Sequence, residues 1–480
     1  MANSMTARQS AGPHARLWPL WLLWTVFVVY GSLVPLDFHP IPWDLAWHKL
    51  RTAPMLNLGI ESRADWVANG VLYLPVGFLS AAMLAGRAPG AVHRLLAAGM
   101  AMAWGVALAL AVEFAQTAFP PRTVSRNDLL AESIGTLLGV VLALPGGGRF
   151  RAMLSSYSHG GWTLARRLAP FYVLVYPALA LFPFDLLVSA AEWQAKLDGP
   201  SVGIALAPSA WALGPVKLVA KLAVETLAAL PLGGLWAAWA LRRGRVAGQA
   251  ARAATVVWPA ALVGTLVGLL IELAQLAIAS GQSQGLSVLT RTLGFALGAA
   301  AWQRQDALSA EALRATLRRW TGALLLALLA LLTLYNGAFI GPWLAPDQAW
   351  QRLLADVHFQ PFYYHYYTTE MRALISLLAV SLSYAPLGVL GWAWHVRPGM
   401  VALMALLLSL LMEASKLPAL GTHPDPSNLW IAAAAAWCAQ LLMQRLLSPR
   451  IPLMPGSAAA RRPAARPGQA SRAAHRVQRR

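Results

Sequence analysis

The sequence predicts an all-α fold: a polytopic transmembrane helix bundle of about twelve spans, set out as three copies of a four-helix unit. Three observations predict it. Charged residues make up 12% of the 480 positions, about half the usual share, too few to cover the surface of a soluble domain. Several apolar runs exceed the roughly 18 residues that mark a membrane span. The polar residues that do interrupt those runs recur at constant spacing along the chain.

Twelve apolar segments follow in order: 17–38, 65–86, 95–118, 128–145, 168–188, 217–240, 253–279, 286–302, 320–344, 372–394, 399–416 and 427–446. The first has no charge from Leu17 to Leu36, is too long for a signal-peptide core and has no small-x-small cleavage site after it, so it reads as an uncleaved span. Segments 128–145 and 286–302 are short, as a tilted or partly re-entrant segment would be. The units are 17–145, 168–302 and 320–447, with a cytoplasmic N-terminus at 1–16 and a basic tail at 448–480. That tail is rich in Ala, Arg, Pro and Ser without an apolar face, a composition that does not fold alone.

The net charge of +19 does not point to nucleic acid, because the arginines cluster between apolar runs and in the tail, as membrane insertion favours. With the N-terminus in the cytoplasm, most of the 38 Lys and Arg residues fall on the inner side, and every inner connection carries at least one Arg. An even span count puts both termini inside, as expected for a multi-pass protein of a bacterial cytoplasmic (inner) membrane. Cys438 is the single cysteine and lies within an apolar run, so no intrachain disulfide is available.

The repeat is read from three markers. Glu113-Phe114-Ala115-Gln116 returns as Glu272-Leu273-Ala274-Gln275 and, more weakly, as Glu413-Ala414-Ser415-Lys416. The small pairs Gly135/Gly139, Gly294/Gly298 and Ala435/Ala439 lie at matching distances downstream, a pattern that lets helix backbones approach closely in a membrane. Upstream, Pro75-x-Gly77, Pro231-x-Gly233 and Pro386-x-Gly388 correspond.

Ionisable and amide side chains inside spans are costly, which makes them informative. In the first unit they are Asp65, Asn69, Glu113, Gln116, Asp128 and Glu132, with Arg122 and Arg126 between the third and fourth segments. Spacings of three and four put Asp65 with Asn69, Glu113 with Gln116 and Asp128 with Glu132 on one helix face each. All fall at the outer boundary of the proposed spans. Two readings are open: an outward-facing site for a lipid headgroup or sugar, lined by Asp65, Asn69, Glu113, Gln116, Arg122, Asp128 and Glu132, or a network that only fixes packing. The four carboxylates could offer oxygen to a hard cation, yet no tight ligand motif is present, and neither metal nor cofactor is expected. In the second unit Lys221, Glu225, Ser287 and Arg291 replace Asp65, Asn69, Asp128 and Glu132; in the third, Lys416 and Asn428 replace Gln116 and Asp128. The first unit is therefore the candidate for chemistry. The run Phe362-Tyr363-Tyr364-His365-Tyr366-Tyr367 reads as an interfacial aromatic belt. No phosphate-binding glycine loop, nucleophile elbow or His-Glu-x-x-His motif is present.

Asp65-x3-Asn69, Pro75-x-Gly77, Glu113-x2-Gln116, Arg122, Asp128-x3-Glu132, Gly135 and Gly139 together resemble the VanZ-like family of bacterial membrane proteins. The chain departs at Glu132, where the family usually has Asn. The founding member is associated with low-level resistance to the glycopeptide teicoplanin, and the family's biochemical activity is not established. The resemblance thus implies a cell-envelope role, with membrane lipids and an envelope lipid or glycan as partners; a homo-oligomer is compatible with it. A twelve-span secondary transporter, a ligand-free scaffold and an intramembrane lipid- or glycan-modifying enzyme stand as alternatives.

Overall fold

The computed structural model describes residues 17–86, 90–156, 160–246, 254–304, 309–337 and 342–447. The N-terminal segment 1–16 and the basic tail 448–480 lie outside the described residues. The described chain is helical apart from a two-residue parallel ladder, β1 (Val202–Gly203) on β2 (Ser283–Gln284), and two isolated bridges.

A first run holds α1 (Trp18–Leu33), α2 (Trp43–Arg51), α3 (Ile60–Ala85), α4 (Ala91–Gln116) and α5 (Arg126–Ser156). A second holds α6 (Gly161–Ala180), α7 (Ala190–Leu197), α8 (Pro208–Trp211), α9 (Pro215–Val246), α10 (Ala254–Leu276) and α11 (Gly285–Gln303). A third holds α12 (Ala310–Arg319), α13 (Thr321–Asn336), α14 (Pro346–Ala355), α15 (Tyr363–Tyr366), α16 (Glu370–Ala393), α17 (Pro398–Ser415) and α18 (Ser427–Leu446). Helix is what such apolar runs must form in lipid, because it satisfies every backbone group within the segment. Where helices begin in polar surroundings they are capped: Ser189, Ser309 and Thr369 accept from the backbone N–H three residues on.

Eight of these helices are long and apolar enough to cross a membrane: α3, α4, α5, α9, α10, α16, α17 and α18. A ninth arises if α12 and α13, bent by 67° where they meet, form one span. Length and composition alone therefore support fewer spans than the twelve apolar segments. The shortfall has local causes. α1 has only 16 residues, α6 carries Arg166 and Arg167 in its second turn, and α11 carries Arg291 among Ser and Thr. Large apolar side chains such as Leu95, Trp258, Leu270 and Leu326 point away from the protein. In a soluble protein so many would be a liability; against lipid they are the expected outer surface.

Each run packs on itself through the same kind of crossing. α5 lies against α3, α11 against α9 and α18 against α16, and these are the most extensive helix pairings in the molecule. At the first crossing, a Cβ on Gly135 would overlap the Gly70 carbonyl, one on Gly139 the Leu74 carbonyl and one on Gly77 the Thr136 carbonyl. Gly298 meets Leu230, Gly233 meets Phe295 and Gly388 meets Ala436 in the same way. The small pairs thus sit where backbones touch, as their spacing predicted. The turn after α1 also recurs: Leu36 and Phe184, each after a proline and before an aspartate, have φ of 65° and 64°.

The runs also join one another. Arg63 makes a two-point ion pair with Glu192, Nη1 to Oε2 at 3.0 Å and Nη2 to Oε1 at 3.1 Å, and donates to the Leu186 carbonyl. The Tyr30 hydroxyl donates to the Pro361 carbonyl at 2.6 Å, and Phe27 meets Phe362 edge-on. Phe150 meets Phe171 likewise.

Candidate functional site

The polar residues of the first run collect at the end of the bundle that carries loop 117–125. α3 brings Asp65 and Asn69, α4 ends on Glu113 and Gln116, and α5 starts with Asp128 and Glu132. Three helix ends converge because the α3–α5 crossing is closed by glycine, so side chains one or two turns away meet. The Asn69 amide donates to Asp128 Oδ1 at 2.9 Å, and the Ser125 hydroxyl donates to Asp128 Oδ2 at 2.6 Å. The Ser125 backbone N–H reaches Glu113 Oε2 at 3.3 Å. Asp65 makes none of these bonds; it is exposed, within electrostatic range of Asp128, Arg122 and Glu370 of α16.

The site therefore runs inward from exposed Asp65, through half-buried Asn69, Arg122 and Asp128, to Glu113 and Glu132, which are 1% and 3% exposed. Its floor is polar but unsatisfied. Glu132 Oε2 and the hydroxyl of fully buried Tyr73 lie side by side with no further partner, and Gln116 Oε1 has none, as Gln275 Oε1 has none in the second run. Buried polar atoms are ordinarily paired; Glu132 has the Tyr73 hydroxyl against it but no cation. The carboxylates of Glu113, Asp128 and Glu132 also repel one another.

Two residues play roles that their positions in the sequence do not announce. Gln116 turns toward α1 and donates to the Ser32 carbonyl at 3.0 Å; Gln275 donates likewise to the Ala180 carbonyl of α6 at 2.9 Å. Arg122 donates to the Gly31 carbonyl at 2.7 Å and stacks on the Tyr366 ring, 4.2 Å from its centroid, while Tyr366 returns a bond to the Pro121 carbonyl. Its Nε is buried without a partner. Burial pulls the Arg122 guanidinium below its ordinary pKa, against an upward pull from Tyr366 and the nearby carboxylates. It makes no ion pair with any of them. The aromatic run of the third group thus forms a wall of the first group's site. Arg126 lies at the rim and donates to the Arg51 carbonyl.

The corresponding places in the other two runs are electrically complete. Glu272 pairs with Arg291 and accepts the Gln284 N–H at 2.5 Å. Glu413 pairs with Lys416 at 2.8 Å, and accepts the Asn428 amide at 2.8 Å and the Asp425 N–H at 2.8 Å. In all three the glutamate holds the backbone N–H twelve residues on. Only Glu113 lacks a cation: Gln116 stands at the place of Lys416 and Glu132 at that of Arg291. Among the described residues no group of His, Cys, Asp and Glu is arranged to hold a metal ion.

Ser125 and Tyr73 were not among the residues singled out from sequence. Both had a signal: Ser125 lies at the same distance from its glutamate as Gln284 and Asp425, and Tyr73 precedes Pro75 as Tyr384 precedes Pro386. No curated protein and no solved structure matches the chain. A family model described as VanZ/LLP1 matches residues 12–147, and that stretch, which contains every residue of this site's floor and rim on α3, α4 and α5, is similar to VanZ-like proteins.

Proposed function

We propose that this is a twelve-span protein of a bacterial cytoplasmic membrane, with three four-span units at 17–145, 168–302 and 320–447 and both termini in the cytoplasm. The first unit binds a lipid headgroup or envelope-glycan precursor at its outward end, and the other two act as scaffold. The arginine alternation supports the orientation. The recurrent glycine crossings, the matched turns after α1 and α6, and the shared glutamate-to-N–H bond support the repeat.

One observation carries the binding reading. The glutamates of the second and third units are neutralised internally, whereas Glu113 and Glu132 are buried together, neither in an ion pair, with the Tyr73 hydroxyl against Glu132. A network that served only packing would be expected to satisfy itself, since a lone buried charge is strongly destabilising. The group that completes it then comes from outside the chain. The position of the site at one end of the bundle, open at Asp65, favours a ligand from the membrane surface over a substrate carried through the midplane.

The test is lipid mass spectrometry on gently purified protein, wild type and Glu113→Gln. Glutamine keeps an acceptor for Ser125 N–H but removes the charge. A lipid or glycan species retained by wild type and lost in the variant is the expected result; identical spectra would remove the site. Reporters fused within 45–57 and after Arg480 should read external and cytoplasmic respectively.

A further inference from the structure

We propose that the ligand presents a primary ammonium group, which sits between Glu113 and Glu132 in the place that Arg291 and Lys416 fill in the later units. The inference rests on the reading of the first unit as the binding unit and specifies the chemistry of what it takes.

The chain contains its own comparisons. In the second unit the cation arrives from α11, where Arg291 meets Glu272; in the third it arrives from the next turn of α17, where Lys416 meets Glu413. Two different routes therefore deliver one cation to the same glutamate. In the first unit both routes are shut, because Gln116 and Glu132 occupy those positions. Glu132 goes further than removing the cation: it adds a second carboxylate, 3% exposed, with the Tyr73 hydroxyl but no cation against it. The nearest guanidinium, Arg122, is committed to the Gly31 carbonyl and the Tyr366 ring.

The remaining groups discriminate among ligands. Glu113, Asp128 and Glu132 lie within electrostatic reach of one another and offer acceptors, while Tyr73 contributes one hydroxyl. A phosphate or carboxylate at that depth would meet like charge on several sides. An ammonium has three donors and no acceptor, which matches an acceptor-lined floor. Hydrogen bonds between an ammonium and carboxylates are among the strong ones, and the desolvation of both partners is offset only when they meet. An amine of this kind is carried by an aminophospholipid headgroup and by a soluble or peptide-borne amine; the experiment separates the two.

Full-length protein is placed in nanodiscs of phosphatidylethanolamine with phosphatidylglycerol, and separately of phosphatidylglycerol alone. Retained lipid is read by native mass spectrometry from the first. Thermal stability is read in the second on adding ethanolamine, a lysine-containing peptide, or N-acetylethanolamine. The variants are Glu132→Arg, which installs the second unit's solution in the first, and Glu132→Gln for the case in which arginine does not fold. Lys221→Gln in the second unit is the control. Wild type should retain phosphatidylethanolamine, or be stabilised by the soluble amines, by about tenfold or more in affinity over either Glu132 variant. The acetylated compound should do nothing, and the control should behave as wild type. Preference for phosphatidylethanolamine points to the lipid source; stabilisation by the peptide or ethanolamine without that preference points to the soluble one. If phosphatidylglycerol is retained as well as phosphatidylethanolamine and is lost in the variants, the pocket stands and the ammonium is wrong. If wild type ignores every amine, no ammonium is taken up there and the proposal falls. If wild type and variants agree in every measurement, the pocket itself falls.

Discussion

Replacing Arg291 with methionine tests the comparison between units most directly. Arg291 is 3% exposed and Glu272 5%, and they face each other across α11 and α10. The methionine fills much of the same volume but leaves Glu272 with only the Gln284 N–H as partner. Stranding a buried charge in this way costs about 3–5 kcal/mol. Changing both partners, Glu272→Gln with Arg291→Met, keeps an acceptor for Gln284 and removes both charges; it should return to within about 1–2 kcal/mol of wild type, because a buried ion pair gains little over neutral groups that pack as well. The assay is reversible unfolding in mixed micelles, with the three variants completing a double-mutant cycle and a coupling energy as the readout. In the first unit Glu132→Gln should move the other way, raising the stability of the ligand-free protein, since it relieves repulsion with Glu113. If Arg291→Met unfolds with wild-type stability, Glu272 is not a charge that needs a partner. The contrast with Glu113 would then carry no information about a ligand.

Three further outcomes follow from the same geometry. Gly135→Ala should destabilise by about 1–3 kcal/mol, because the new methyl would overlap the Gly70 backbone at a crossing that cannot widen; Gly99→Ala, in open space on α4, should be neutral or mildly stabilising in the same melt. Arg122→Lys should loosen the junction between the first and third groups, because lysine cannot donate to Gly31 and stack flat on Tyr366 together; protease cleavage within 117–125 is expected to quicken, and an unchanged rate would leave Arg122 free for a ligand. Glu192 is held down at about 2, first by its hydrogen bond to Arg63 and then by the Val188 N–H. A depressed carboxylate stabilises above its unfolded pKa and loses that contribution as pH falls toward the folded one. The stability difference between wild type and Glu192→Gln should therefore be full at neutral pH and shrink from about pH 5 downward, and a difference that grows on acidification would refute the pairing.

Much of this was legible in the sequence, and what was not has physical reasons. Apolar runs bounded by charge or glycine located some of the long helices closely, the segment 427–446 being α18 to the residue and 399–416 lying within a residue of α17, whereas 128–145 stops well short of the end of α5 because the helix runs on through Pro145 and the glycines after it. The short helices α2, α7 and α14 escaped because each mixes Trp and Leu with Lys or Arg within ten residues or fewer, and a search for unbroken apolar runs passes over them. The acidic floor was readable because charge inside an apolar run is conspicuous. Its wall was not, because Tyr366 reaches Pro121 from 245 residues away, and no local pattern encodes a contact at that range. The shared bond to the residue twelve positions on was hidden for a different reason. Its donor is a backbone N–H, so the side chain there is free to be Ser125, Gln284 or Asp425, and only the acceptor glutamate is constrained. That resolves why the glutamate recurs in all three runs although its neighbours change sign. The loop needs an acceptor, and a carboxylate supplies one together with a charge. Two of the runs supply the matching cation from their own helices, while the first places a second carboxylate in its stead. On the proposed reading, the residue that keeps the loop in place is thus also the one that a ligand completes in the first run. Structure and the proposed binding are separable there only by a substitution that preserves the acceptor and removes the charge.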